Sequence, residues 1–201
     1  MKSLKLEEFD QRKRASIQAI TNFCELDKSP KGSVDEPIIQ LVSFINAHKD
    51  LATTSSCSGR ISLFHTKGRD TIQKGSGTWI LSLHEPLKDE NELEVNLVEG
   101  LKKLNEIPST TVFKHEPFVL HIMCRTIEIA QSILKLAIEA GFRESGLSVG
   151  NKKIMLGIRT TSNVLECPVA KDGKIICGSE FLKYISIEAN TRFNDFIIVV
   201  T

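Results

Sequence analysis

A helix followed by three strand-like segments occurs twice in this chain, at residues 34–84 and again at 127–168. Helical spacing marks the first helix, to about His48, through Ile38, Leu41, Val42 and Ile45, and the second, over 126–140, through Ile129, Ile133, Leu136 and Ala137. Strands are predicted at 51–56, 60–65 and 78–84 in the first stretch, and at 142–149, 153–160 and 164–168 in the second. Each stretch carries an early Ser–Gly step, Ser58–Gly59 and Ser145–Gly146, which suggests an internal duplication. Further helices are predicted at 4–26, 89–105 and from Ser179 to Phe193, with strands at 110–115, 118–125 and 173–177. Regular βαβ alternation is missing, so the fold class is α+β: a mixed or mostly antiparallel sheet packed with helices. At 201 residues one domain, 1–201, is expected.

Local signals sharpen the element ends. Ser33 and Glu36 have capping-box spacing, Pro37 suits a first helical turn, and Asp35 places a carboxylate where a helix N-terminus favours one. Gly141 stops the 126–140 helix, and Lys171-Asp172-Gly173 turns one strand into the next.

The stretch Thr53-Thr54-Ser55-Ser56-Cys57-Ser58-Gly59-Arg60 reads as a polar turn pinned between Leu51–Ala52 and the alternating segment Ile61-Ser62-Leu63-Phe64. Such a turn holds hydroxyls in fixed geometry, Gly59 permits close backbone approach, and Arg60 offers a planar charged fork. The competing reading is a Ser-rich strand end with a glycine bulge. A second constellation is Glu116-Pro117-Phe118-Val119-Leu120-His121-Ile122-Met123-Cys124-Arg125, where period two puts His121, Met123 and Arg125 on one face. A histidine and an arginine there could supply a proton acceptor and an anion anchor, or simply face solvent. In the third, Gly141-Phe142-Arg143-Glu144-Ser145-Gly146, Arg143 and Ser145 share a strand face. The third strand of the first stretch, with Trp79, Ile80, Leu81 and Leu83, looks buried. His48, His65 and His115 read as surface or loop histidines, and Cys57 as a small site-lining thiol rather than a nucleophile.

Several chemistries are excluded. The chain has no GxGxxG after a strand, no GxxxxGK[ST], no HExxH and no GxSxG. Its five cysteines are odd in number and show no zinc or CxxC spacing, so no metal site is expected and the setting is reducing, cytosolic or nuclear, with a cytoplasmic location expected. The start Met1-Lys2-Ser3-Leu4-Lys5 lacks the apolar region of a signal peptide, and no apolar run is long enough to span a membrane. A net charge of +1 excludes a generally basic nucleic-acid coat. Charge is nevertheless uneven. Residues 49–84 and 143–159 each carry an excess of three positive charges, including Lys74 and Lys152, while 85–106 is acidic. If the two basic segments converge, they make a patch for a phosphate backbone.

Lys31-Gly32-Ser33-Val34-Asp35-Glu36, Thr53 to Ile61, Glu116-Pro117-Phe118-Val119-Leu120-His121 and Gly141 to Gly146, in that order and spacing, closely resemble the tRNA wybutosine-synthesizing protein 3 family. The similarity runs from about Phe9 to Asn194 and includes Trp79, the Leu165–Pro168 strand and Ala189–Asn190. The C-terminus departs from it: Phe196 to Thr201 is an apolar run where family members tend to continue as a charged helix. The resemblance implies an α+β, non-Rossmann, S-adenosylmethionine-dependent methyltransferase. Its substrate would be N4 of the tricyclic, guanosine-derived base just 3′ of the anticodon of tRNA-Phe, with other wybutosine-pathway enzymes as potential partners.

On that reading, the proton acceptor is His121, with Glu116 and Asp35 next. Arg60 with Ser55, Ser56, Ser58 and Gly59 would hold the carboxylate end of the cofactor, and Asp35 its ammonium. Arg125, Arg143, Ser145, Lys74 and Lys152 would meet the anticodon stem-loop, and Trp79 or Phe142 would receive the extruded base. The alternatives are a non-catalytic RNA-binding module with a local basic face, and a small-molecule hydrolase or transferase using Cys57 or His121.

Overall fold

The computed structural model describes residues 6–21, 34–67, 77–104 and 107–200. In chain order these form α1 (Leu6–Thr21), a one-turn 3-10 helix (Glu36–Ile38), α2 (Ile39–Ala47), β1 (Leu51–Cys57), β2 (Arg60–Lys67), β3 (Gly77–Leu83), α3 (Glu92–Lys103), β4 (Ser109–Glu116), β5 (Val119–Cys124), α4 (Ile127–Glu139), β6 (Gly146–Val149), β7 (Ile154–Arg159), β8 (Leu165–Lys171), β9 (Lys174–Ile175) and α5 (Ser179–Val200). Every paired strand runs antiparallel, and the α+β class holds. The chain divides into two compact units, one comprising Met1–Ser58, Phe118–Thr161 and Ile197–Thr201, the other Gly59–Pro117 and Ser162–Phe196. Each is built on one sheet.

The first unit has strand order β1-β5-β7-β6. Leu120 and Ile122 of β5 lie opposite Ile158 and Leu156 of β7, so one face of the sheet is a continuous apolar surface. Against it pack α2, through Val42 and Ile45, and α4, through Ala130 and Ala137. The predicted face of α4 is shifted: its two alanines are the buried residues, Ile129 and Ile133 are half-buried, and Leu136 is 63% exposed. Small side chains let the helix approach the sheet while the larger ones flank the contact. Thr126 caps α4 by accepting from the Ile129 amide, and Gly141 ends it at φ +98°. There the amides of Phe142 and Gly141 close back onto the carbonyls of Ala137 and Ile138, the two bonds of a Schellman motif.

On the opposite face α1 inserts Phe9, fully buried among Ala52, Met123 and Met155, a burial that contributes about 1.5–3 kcal/mol. The Arg125 guanidinium lies 4.3 Å over the Phe9 ring and pairs with Asp10 of α1 and, at 2.7 Å, with Asp50. Ser33 of the predicted capping box lies outside the described residues. Asp35 occupies the N-cap of the 3-10 turn but does not cap it; its carboxylate is used elsewhere.

The second unit has strand order β3-β2-β4-β8-β9. From α3, Leu93, Leu97 and Leu101 are buried at helical spacing, and Gly100 is required: a Cβ there would stand 2.3 Å from Ile80 Cγ2. From α5, Leu182, Ile185, Ala189 and Phe193 form the buried stripe. Asn190 clips the loop before α3 by exchanging hydrogen bonds with both backbone groups of Leu87 (2.8 and 2.9 Å). α5 runs to Val200, past the predicted end at Phe193, so the apolar run continues the helix. β8 and β9 are joined through Asp172 (φ 49°) and Gly173 (φ 73°), the two-residue turn that the Lys171-Asp172-Gly173 signal predicts.

Two expectations fail. β1 belongs to one sheet and β2–β3 to the other, whereas β6–β7 and β8 divide the opposite way, so the two strand triplets are not equivalent units. His65 and His115 are not surface residues; they are 1% and 2% exposed, on β2 and β4.

His115 donates from Nδ1 to the Asn163 carbonyl (3.0 Å), and burial lowers its pKa below the usual 6.5. The folded state therefore binds fewer protons at this group than the unfolded state. Its contribution to stability falls as pH drops through about 6.5 and goes on falling until the folded-state pKa is passed. Urea unfolding at pH 7.5 and 5.5 should show a loss of stability at the lower pH that His115→Gln diminishes.

Candidate functional site

In the first unit the polar stretch is the Ser-rich end of the predicted 51–56 strand and not a turn. Thr53 to Cys57 are strand β1, and only Ser58–Gly59 turn the chain into β2. Thr53 pairs with Ile122 and Ser55 with His121, so Thr54 is an extra, bulged residue. The bulge leaves Thr54 and Ser55 both exposed and sets Ser55 directly opposite His121. Ser55 Oγ lies 3.0 Å from His121 Nδ1, and Thr54 Oγ1 donates to the His121 carbonyl at 3.2 Å. One ring nitrogen of His121 is thus tied to β1 through Ser55, and its backbone through Thr54.

That row continues across the sheet as Gly157 and then Gly146. A Cβ on Gly157 would sit 3.5–3.6 Å from His121 Cδ2 and Nε2, and one on Gly146 would meet nothing within 4 Å. The flank of His121 away from Ser55 therefore carries no side chain over two strands, a width of about 10 Å. Sequence reasoning missed both strand glycines as neighbours of the histidine; a glycine inside a strand is the signal that could have found them.

Asp35, 3% exposed, accepts from the Ser58 amide (2.8 Å) and hydroxyl (3.1 Å) through the same oxygen. Ser58 is equally buried, so the pair fixes the end of β1. Arg125 sits just past the end of β5, and its contacts with Asp10, Asp50 and the Lys49 carbonyl hold α1 to the sheet.

Arg143 and Ser145 do not share a strand face, because β6 begins only at Gly146; both lie in the preceding turn. Arg143 is exposed, and Ser145 Oγ accepts from the Arg159 amide at 3.2 Å. Lys152 is exposed in the bend before β7, and Lys74 lies outside the described residues. Phe142 is on the helical side of the sheet. It packs at a tilt against Phe118 (centroids 5.5 Å) and, with Leu120 and Ile122, lines an apolar pocket of about 320 Å³.

In the second unit Arg60 binds Glu116 through Nε (2.7 Å) and Nη2 (2.6 Å), both to Oε2. The side chains are 26% and 41% exposed, so the pair is accessible. The same guanidinium lies 4.5 Å from the centroid of Trp79, and Phe64 tilts against that indole with centroids 4.5 Å apart. Contrary to expectation Trp79 is exposed, because β3 is an edge strand with one open face. Gly59, at φ +130°, must be glycine: a Cβ would press to 3.3 Å on both the Glu116 carbonyl and the Phe193 ring. The thiol of Cys124 is pushed up to about 12 by burial and is inert at neutral pH. Among the described residues, no helix is long and apolar enough to cross a membrane.

Comparison with known proteins gives a consistent result. The family model described as "Methyltransferase TYW3" matches residues 11–196. A tRNA wybutosine-synthesizing protein 3 homolog from Danio rerio is 39% identical over 184 residues, 90% of this chain and 70% of that protein. A tRNA wybutosine-synthesizing protein 2/3/4 from Arabidopsis thaliana is 37% identical over 93% of this chain, which is only 20% of that protein. Other vertebrate homologs are covered over about two thirds or less of their length; for Xenopus laevis the share is 64%. The structure of the PH1069 protein from Pyrococcus horikoshii superposes with a TM-score of 0.78 at 29% identity, covering 97% of this chain and 93% of that one. The resemblance read from the four motifs is borne out, and the chain belongs to the TYW3 methyltransferase family.

Proposed function

We propose that this protein is a cytoplasmic, S-adenosylmethionine-dependent methyltransferase, with 1–201 serving as one functional domain. It methylates N4 of the tricyclic wybutosine precursor base beside the anticodon of tRNA-Phe. Family membership supports the reaction class, and the observation that carries the assignment within this chain is His121, a positioned imidazole on an open sheet row.

The acceptor nitrogen bears a proton that it must lose. His121 would take that proton as the nitrogen accepts the methyl group. S-adenosylmethionine supplies, when bound, a methyl group on a sulfonium. The residues present fit its amino acid end. Arg60 and Glu116 form an accessible pair of opposite charges, of the kind that matches a carboxylate and an ammonium. Ser56 and Gly59 belong to the same stretch. Asp35, buried against Ser58, acts by holding that stretch in place. The exposed indole of Trp79 offers a stacking surface.

Calorimetry with S-adenosylmethionine tests this reading against a purely RNA-binding module, which would not bind the cofactor. For the tRNA, Arg143, Lys152 and Lys74 are proposed to meet phosphates. Binding of the anticodon stem-loop should then weaken steeply with salt, with a log–log slope of about −0.7 to −0.9 per contacted phosphate. Lys152→Glu should make that slope about one unit shallower across all tRNAs. A nearly flat salt dependence would remove the basic residues from the account.

A further inference from the structure

Ser55 belongs to a hydroxyl-rich stretch that the family resemblance assigns to the cofactor, yet its geometry serves the histidine. We infer that Ser55 is a positioning residue: it holds the His121 ring with hydrogen on Nδ1, so that Nε2 is the nitrogen that takes the proton. This rests on the proposed methyltransferase reading for its purpose, though not for its geometry.

Three observations converge. The bulge at Thr54 has the consequence of bringing Ser55 into register with His121; a regular strand would place Thr54 there. Ser55 Oγ lies within hydrogen-bond distance of Nδ1, while Thr54 fixes the backbone of the same histidine through its carbonyl. The other ring nitrogen points along the row toward Gly157, where a Cβ would already stand 3.6 Å from Nε2. One nitrogen is thus occupied by a protein group, and the other faces a side-chain-free surface over Gly157 and Gly146. A serine hydroxyl can accept from Nδ1–H in both the neutral ring and the imidazolium. It therefore need not move when Nε2 takes up the proton, which is what a preorganised base requires. Neither glycine has a positive φ, and neither is packed too tightly for a methyl group. Their absent side chains leave the working nitrogen open to a flat substrate.

The test is nitrogen NMR of the full chain with labelled histidine, the His121 signals being assigned by their absence in His121→Gln. The wild type should show a protonated Nδ1 and an unprotonated Nε2 at pH 8, with or without substrate. Ser55→Ala should move the ring toward the opposite tautomer, and Ser55→Thr should restore the wild-type pattern. In single-turnover methyl transfer, Ser55→Ala should lower the rate by about tenfold or more with cofactor affinity unchanged, and shift the acid limb of the pH profile downward; Ser55→Thr should recover both. A wild-type ring protonated on Nε2, or a tautomer indifferent to Ser55→Ala, overturns the inference whatever the reaction proves to be. A correct tautomer response in a protein without methyl transfer would instead sink the functional reading and leave the positioning intact.

Discussion

His121→Ala is expected to lower single-turnover methyl transfer to bound tRNA by about 10²- to 10⁴-fold, the usual contribution of a positioned general base. Affinity for S-adenosylmethionine and for tRNA should stay close to wild type. His121 is held by β1 through two contacts and faces outward on a row whose other side carries only glycines, so it contributes little to the core and removing it leaves no buried group unpaired. His121→Gln should be nearly as slow, because an amide keeps a hydrogen-bonding group there but cannot take a proton at neutral pH. Rapid quench with saturating cofactor would read the chemical step. Normal turnover in both variants would pass the proton to Glu116 or to water.

The second large effect is expected at Arg60. Arg60→Ala should weaken S-adenosylmethionine binding by about ten- to hundredfold, the size expected for hydrogen bonds to a charged group. The fold should persist, since the Arg60–Glu116 pair is partly exposed and pairs of that kind contribute about 0–1 kcal/mol. Arg60→Lys should rescue poorly. A lysine cannot present a planar fork, and it would lose the guanidinium's contact with the Trp79 ring. Titration calorimetry checks the affinity and thermal unfolding the fold; unchanged affinity in Arg60→Ala would remove this residue from the cofactor's binding site.

How much of this was legible in the sequence depends on whether local pattern or tertiary context decides each point. The helices, most strand positions and the Asp172–Gly173 hairpin follow from periodicity and turn chemistry, which are local. The predicted strand at 51–56 forms, but the turn reading of 53–60 fails: the stretch is a Ser-rich strand end whose bulge falls at Thr54, where it breaks the alternation, and not at Gly59. Only the register with β5 shows that Ser55 faces His121. Arg125 continues the alternation of β5 on paper. Yet the strand ends at Cys124, and the ring of Phe9, over a hundred residues earlier, lies beneath its guanidinium. His65 and His115 escaped notice as buried because the inward faces of β2 and β4 mix polar and apolar residues, so hydrophobicity does not trace them. Trp79 failed in the reverse sense: an apolar run implies burial, but an edge strand leaves one face open. The two glycines beside His121 are separated by ten residues of chain and meet only through the β6–β7 pairing. For the candidate site, then, sequence supplied the residue types, and strand register supplied their partners.

The most direct measurement of the central claim is transfer of a labelled methyl group from S-adenosylmethionine by the purified protein. One substrate is tRNA-Phe carrying the tricyclic precursor; the other is the same tRNA with guanosine at that position. The account predicts label on N4 of the tricyclic base, located by mass spectrometry of the digested tRNA, and none on the guanosine form. Cofactor binding without transfer to the precursor, or equal labelling of both tRNAs, would contradict it.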